Sequence, residues 1–173
     1  MDRWRLHAHP AAQPAPAWQL EAGFQCIPGG LALYYCLAGN IGRLRESDAG
    51  ERADALWQHT CFEAFLQPVH GQGYLEFNFT PAGVWAAYRF DSRRLGMQSL
   101  ELPRPPVIAV IRGSQLEVTV QLALPAGFAA SRIGLMAVLE DDAGGLSFWA
   151  LAHPGPRPDF HDPAGFLLEI PAT

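Results

Sequence analysis

The stretch G-Y-L-E-F-N-F-T-P-A-G-V-W-A-A-Y-R-F-D, residues 73–91, decides the fold. Leu75, Phe77 and Phe79 alternate with Tyr74, Glu76, Asn78 and Thr80, and an extended chain sends such alternate side chains to opposite faces. Pro81-Ala82-Gly83 then supplies the fixed and positive φ values that a tight reversal needs. After it the alternation resumes, with Trp85, Ala87 and Arg89 on one side and Ala86, Tyr88 and Phe90 on the other. Two alternating runs joined by so short a turn read as an antiparallel hairpin.

The same period recurs outward from this hairpin. It predicts strands near Trp4–His9, Trp18–Ile27, Leu31–Ala38, Thr60–Gln67, Tyr74–Thr80, Val84–Asp91, Val107–Arg112, Leu116–Leu124, Ile133–Glu140, Leu146–Leu151 and Phe166–Ile170. Pro28-Gly29-Gly30, Arg112-Gly113-Ser114 and Asp142-Ala143-Gly144-Gly145 separate several of them as turns. Helix signals are nearly absent, and the connectors leave no room for the helical crossovers that parallel strands require. The expected class is therefore all-β, an antiparallel two-sheet β-sandwich. Three connectors are longer than a turn needs. Gly39–Ala55 is polar and has room for a short helical turn, Leu95–Pro106 is stiffened by prolines, and His153–Gly165 reads H-P-G-P-R-P-D-F-H-D-P-A-G.

Composition narrows the function classes. With 173 residues the chain fits one domain, residues 1–173, and 49% hydrophobic with 17% charged residues describes a globular protein rather than a disordered one. No apolar run reaches the roughly 20 residues of a membrane-spanning helix. The net charge is −5 and every one of the 12 basic residues is Arg; the densest basic spot is the pair Arg93-Arg94, which argues against nucleic acid as a partner. Cys26, Cys36 and Cys61 are an odd number of cysteines in apolar surroundings, as buried free thiols are in a reducing compartment. The N-terminal residues lack the apolar core of a secretory signal, so the expected location is cytoplasmic.

The parity of the central strands also predicts where polar groups meet. Cys61, Glu63 and Phe65 alternate with Phe62, Ala64 and Leu66; if the three strands are neighbours, Glu63, Glu76, Asn78 and Arg89 gather on one face over an apolar interior. A carboxylate–Arg pair across strands is also an ordinary device of sheets. No nucleophile elbow, H-E-x-x-H or phosphate-binding glycine loop is present, so the expectation is a protein that does not catalyse. Glu63 and Glu76 as the acid–base pair of a glycoside hydrolase is the enzymatic alternative.

Trp57, the string Cys61-Phe62-Glu63-x-Phe65 and the strand ending Asn78-Phe79-Thr80-Pro81-Ala82-Gly83 resemble the DOMON-like and family 9 carbohydrate-binding-module superfamily. Phe148-Trp149-Ala150-Leu151-x-His153-Pro154, followed by Pro158-Asp159-Phe160-His161, resembles its small stand-alone bacterial members. The resemblance implies a jelly-roll-like sandwich whose relatives bind sugars or, in some branches, haem. It departs from the sugar-binding pattern at His59, where those relatives tend to carry an acidic residue.

On this basis the expected ligand is a small polar molecule, a sugar or a sugar-containing compound. Flat aromatic faces cover the C–H surface of a sugar ring while a few planar polar groups take its hydroxyls. Trp57 and Trp149 are the candidate platform, Glu63, Glu76, Asn78 and Arg89 the polar face, and Arg43 and His161 further contacts from loops. Trp18 and Trp85 read as core. The set His153, Asp159, His161 and Asp162 contains metal-ligating types without a recognised spacing, and haem would call on Met97 or Met136 with a histidine; no cofactor is expected. Pairing of two copies through an edge strand is the alternative from a different class.

Overall fold

The computed structural model describes residues 1–11, 17–45 and 50–171. Glu46 and Asp48 of the first long connector lie outside them. The twelve strands are β1 Asp2–Ala8, β2 Gln19–Ile27, β3 Gly30–Ala38, β4 Cys61–Pro68, β5 Tyr74–Phe79, β6 Trp85–Phe90, β7 Gln98–Ser99, β8 Val107–Arg112, β9 Gln115–Ala123, β10 Ala130–Glu140, β11 Leu146–Ala150 and β12 Leu168–Glu169. Three 3-10 turns, Ile41–Arg43, Leu56–Gln58 and Pro163–Gly165, are its only helical elements among the described residues. No helix there is long and apolar enough to cross a membrane.

All pairings between the strands are antiparallel, in the order β7-β6-β5-β4-β10-β11-β1-β2-β3-β9-β8, with β12 added beside β10. The path curls into two layers joined through β1, where His7 and Ala8 pair with Ala150 and Trp149. The expected antiparallel β-sandwich is thus the fold of the chain. Leu33, Tyr35 and Leu37 of β3 and Val118 and Val120 of β9 face Phe62, Ala64, Phe77, Leu135 and Ala137 of the other layer. Each buried aromatic side chain of this kind contributes about 2–3 kcal/mol by leaving water. Tyr35 also spans the layers, its ring 5.0 Å from Phe62 and its hydroxyl donating to the Glu63 carbonyl at 2.8 Å.

The β5–β6 hairpin shows how sequence fixes register. Thr80 and Val84 close its turn through the Thr80 N–H to the Val84 carbonyl, 2.9 Å, and Gly83 sits at φ 86°, a conformation that L side chains rarely adopt. Five residues therefore separate the paired Phe79 and Trp85, and Glu76 falls opposite Tyr88 while Leu75 falls opposite Arg89.

The second layer has another buried face. Cys61, Phe65, Tyr74, Ala86, Tyr88, Phe90, Met136, Val138 and Ala150 point away from the sandwich core yet are sealed from solvent, because Leu56, Phe160 and Phe166 pack over them. Gly134 makes this cover possible. A Cβ at that position would come within 2.7 Å of the Met136 methyl and 2.8 Å of the Phe166 ring, and Phe166 uses the space to stack on Phe65 at 5.6 Å.

Candidate binding site

A cavity of about 290 Å³ opens within this second face, lined by Trp57, Glu63, Glu76, Phe90, Arg94, Met97, Val138, Phe148, Pro158, Phe160 and His161. Its floor is sheet. Glu63 of β4 and Asn78 of β5 are direct cross-strand partners, and Glu76 lies two residues along β5 on the same face. Its walls come from the 3-10 turn at Leu56–Gln58, from residues 92–97 after β6, and from the long 153–166 connector.

The walls are held by specific bonds. Tyr88 anchors the first, donating its hydroxyl to Asp54 Oδ1 at 2.7 Å and standing edge-on to Trp57 at 5.9 Å. Asp159 ties the other two together, its carboxylate accepting from Arg94 at 2.9 Å and also from Arg93, which reaches Asp162 at 3.1 Å. Tyr74 completes the joint: its hydroxyl lies 2.7 Å from His161 Nδ1 and accepts the Arg94 N–H at 3.1 Å, which leaves its proton for the imidazole. Asp162 caps the Pro163–Gly165 turn through the Ala164 N–H at 3.0 Å.

The floor is electrostatically unusual. Glu63 and Glu76 are 2% and 3% exposed, in a setting where an ionised carboxylate ordinarily needs a partner. Asn78 donates to Glu76 Oε1 at 2.8 Å. Glu63 Oε1, Glu76 Oε2 and Asn78 Oδ1 have no hydrogen-bond partner among the described residues. Burial, and then the neighbouring Glu76 charge, push the Glu63 carboxyl well above its usual range. Burial raises Glu76 to about 7, against the opposing Asn78 hydrogen bond and the Arg94 charge. His161 moves the other way, to about 4, through burial and the nearby Arg94. Burial works against ionisation of Asp159, but its bonds to Arg93 and Arg94 outweigh this and hold it below the usual carboxylate range.

Of the residues singled out from sequence, Trp57, Glu63, Glu76 and His161 line this cavity, and Asn78 lies in the floor beside them. Trp57 is 37% exposed, as a platform must be. Three others stand elsewhere. Arg89 is not on the polar face: opposite Leu75 it points to the other side of the sheet, where it is exposed and reaches Gln98. Trp149 is not a platform but core, 6% exposed with its indole N–H donated to Ser147 Oγ at 2.9 Å. Pairing with Ala137 fixes that inward orientation and turns its neighbour Phe148 to the cavity instead. Arg43 is an exposed partner of Asp142 at 2.8 Å and does not line the cavity.

The lining also contains Phe90, Arg94, Met97, Val138, Phe148 and Pro158, none of which was a sequence candidate for sugar contact. Parity identifies Phe90, Val138 and Phe148 once the neighbouring strands are known; Arg94, Met97 and Pro158 belong to irregular loops that carry no such signal. The candidate metal residues are engaged separately, His153 with the His7 carbonyl at 2.8 Å and Asp159 and Asp162 with arginines. Among the described residues no three His, Cys, Asp or Glu side chains are grouped to hold a metal ion. Of the methionines considered for haem, Met136 is sealed in the apolar layer and Met97 stands exposed at the rim of the cavity. His59 pairs with the buried Glu140 at 2.7 Å.

Comparison with solved structures places the chain beside a proposed carbohydrate-binding protein from Bacteroides uniformis, with a TM-score of 0.68 and 14% sequence identity over 95% of this chain and 84% of that one. The two share a fold. No family model matches the chain, and no curated protein matches it.

Proposed function

We propose that this protein is a non-catalytic binding module for a small carbohydrate, held in the cavity above Glu63 and Glu76. The observation that carries this reading is the cavity itself: buried polar acceptors without partners on its floor, and Trp57, Phe90, Phe148 and Phe160 around it. That combination suits a sugar ring, which presents apolar C–H faces and polar edges. At about 290 Å³ the space suits a monosaccharide or one terminal residue of a longer glycan. The fold shared with the Bacteroides uniformis protein supports a binding role, and kinship with the DOMON-like and family 9 modules belongs to the same proposal.

Calorimetric titration with a panel of neutral, amino and acidic monosaccharides, nucleotide sugars and short glycans tests the proposal. Saturable binding that weakens in Trp57→Ala is the expected result; no binding across the panel overturns it. Because two buried carboxyl groups are also the equipment of a hydrolase, the same panel is followed for turnover. Glycoside cleavage abolished by Glu63→Gln would make the protein an enzyme instead.

A second reading concerns assembly. Strand β8 ends the strand order, no strand covers its outer edge among the described residues, and Val107 and Ile111 are exposed on it. Light scattering at micromolar concentration reads this directly: a strict monomer disfavours pairing through β8.

A further inference from the structure

We infer that the floor of Glu63, Asn78 and Glu76 is built to receive an ammonium group, so that the ligand class is an amino sugar bound with its nitrogen protonated. The inference rests on the sugar-binding reading above and specifies which sugars fit.

Donors and acceptors in the floor do not balance. The unpartnered buried atoms are Glu63 Oε1, Glu76 Oε2 and Asn78 Oδ1, two carboxyl oxygens and an amide oxygen that can accept once the pair has released a proton. The one amide N–H₂ in the floor spends one of its two N–H groups on Glu76 Oε1. A sugar hydroxyl brings one donor and further acceptor lone pairs, so it would leave most of this set unsatisfied. An ammonium brings three donors and no acceptor, which matches the set in number and kind.

Charge points the same way. The cavity's guanidinium, Arg94, is paired with Asp159 at 2.9 Å, and Arg93 is shared between Asp159 and Asp162. His161 Nδ1 stands 3.9 Å from Glu76 Oε2 but is occupied by the Tyr74 hydroxyl at 2.7 Å, in a setting that keeps the imidazole neutral. Tyr88 is turned to Asp54, and β10 and β11 present Met136, Val138 and Phe148, which carry no charge. Cys61, beside Glu63 on β4, is held as a thiol by burial. No positive charge within the protein therefore closes on the two carboxyl groups at contact distance among the described residues. The aromatic walls add favourable faces for a cation.

Binding an ammonium requires the carboxyl pair to give up one proton that the empty cavity retains near neutral pH. Titration of wild-type protein with glucosamine, galactosamine and mannosamine, each beside its neutral parent and its N-acetyl derivative, tests the inference. Amino sugars are expected to bind at least about tenfold tighter than both counterparts, with proton release to buffer. Their affinity should fall by up to about tenfold per pH unit below 7, as a single required ionisation dictates. Glu76→Gln, and independently Glu63→Gln, should erase the preference while leaving the protein folded.

Equal or tighter binding of the neutral or N-acetylated sugars overturns the ammonium inference and leaves the sugar reading standing. Binding of ethanolamine with no sugar of any kind keeps the ammonium floor and overturns the sugar reading. Absence of binding in every arm overturns both.

Discussion

Glu76→Gln should leave stability nearly unchanged at pH 4.5 and increase it markedly at pH 8. Burial raises the Glu76 carboxyl from its ordinary 4.5 to about 7, so the folded protein takes up this proton more readily than the unfolded chain does. The corresponding stability is fully present below about pH 4.5 and disappears as pH rises through about 7. At 1.36 kcal/mol per pH unit the loss amounts to about 3 kcal/mol. Glu63 is displaced in the same direction and steepens it. Glutamine stays neutral at every pH and retains the oxygen that accepts from Asn78, so the variant should escape the loss. Chemical denaturation of wild type and variant between pH 4.5 and 8.5 measures the difference. It should grow with pH toward about 3 kcal/mol, or roughly 6–12 °C in Tm for a chain of this size. A difference independent of pH, or a variant destabilised throughout, would refute the reasoning that burial without a partner governs this carboxyl group.

Other outcomes follow from the same contacts. Trp57→Ala should weaken binding of the tightest sugar about tenfold, with under about 1 kcal/mol change in stability because Trp57 is partly exposed, as calorimetry and thermal unfolding would show. Trp149→Phe should do the reverse, costing about 1–3 kcal/mol in denaturant unfolding while sugar affinity stays within about twofold. Gly134→Ala should force Met136 and Phe166 aside, costing about 1–3 kcal/mol and loosening the 153–166 connector. Limited proteolysis would register this as faster cleavage in that segment.

The strands were legible because nearly every one carries period-two alternation. The span expected at Val107–Arg112 matches β8 residue for residue, and the hairpin Tyr74–Thr80 with Val84–Asp91 differs from β5 and β6 only at its ends. The short β7 inside the proline-stiffened connector was not legible, since two residues carry no period. The polar turn expected between Gly39 and Ala55 exists at Ile41–Arg43.

Parity within β5 also placed Glu76 and Asn78 on one face, since alternation within a strand is independent of its neighbours, and the register that pairs Glu63 with Asn78 adds Glu63 to it. Arg89 and Trp149 show where that reasoning stops. Each has a definite parity on its own strand, but which side faces the cavity depends on cross-strand register, and register depends on how many residues the turn absorbs. Five residues between Phe79 and Trp85 turn Arg89 away; four would have turned it inward. The 92–97 and 153–166 walls depend on ion pairs between segments some 65 residues apart, such as Arg94 with Asp159. No local pattern announces a contact of that range.

A crystal structure of the protein with the tightest-binding sugar of the panel tests the central claim most directly. The ring should lie between Trp57, Phe148 and Phe160, with its most polar edge against Glu63 and Glu76. Density instead in the cleft at the opposite end of the sandwich, lined by Leu124, Phe128 and Ile170, would contradict it.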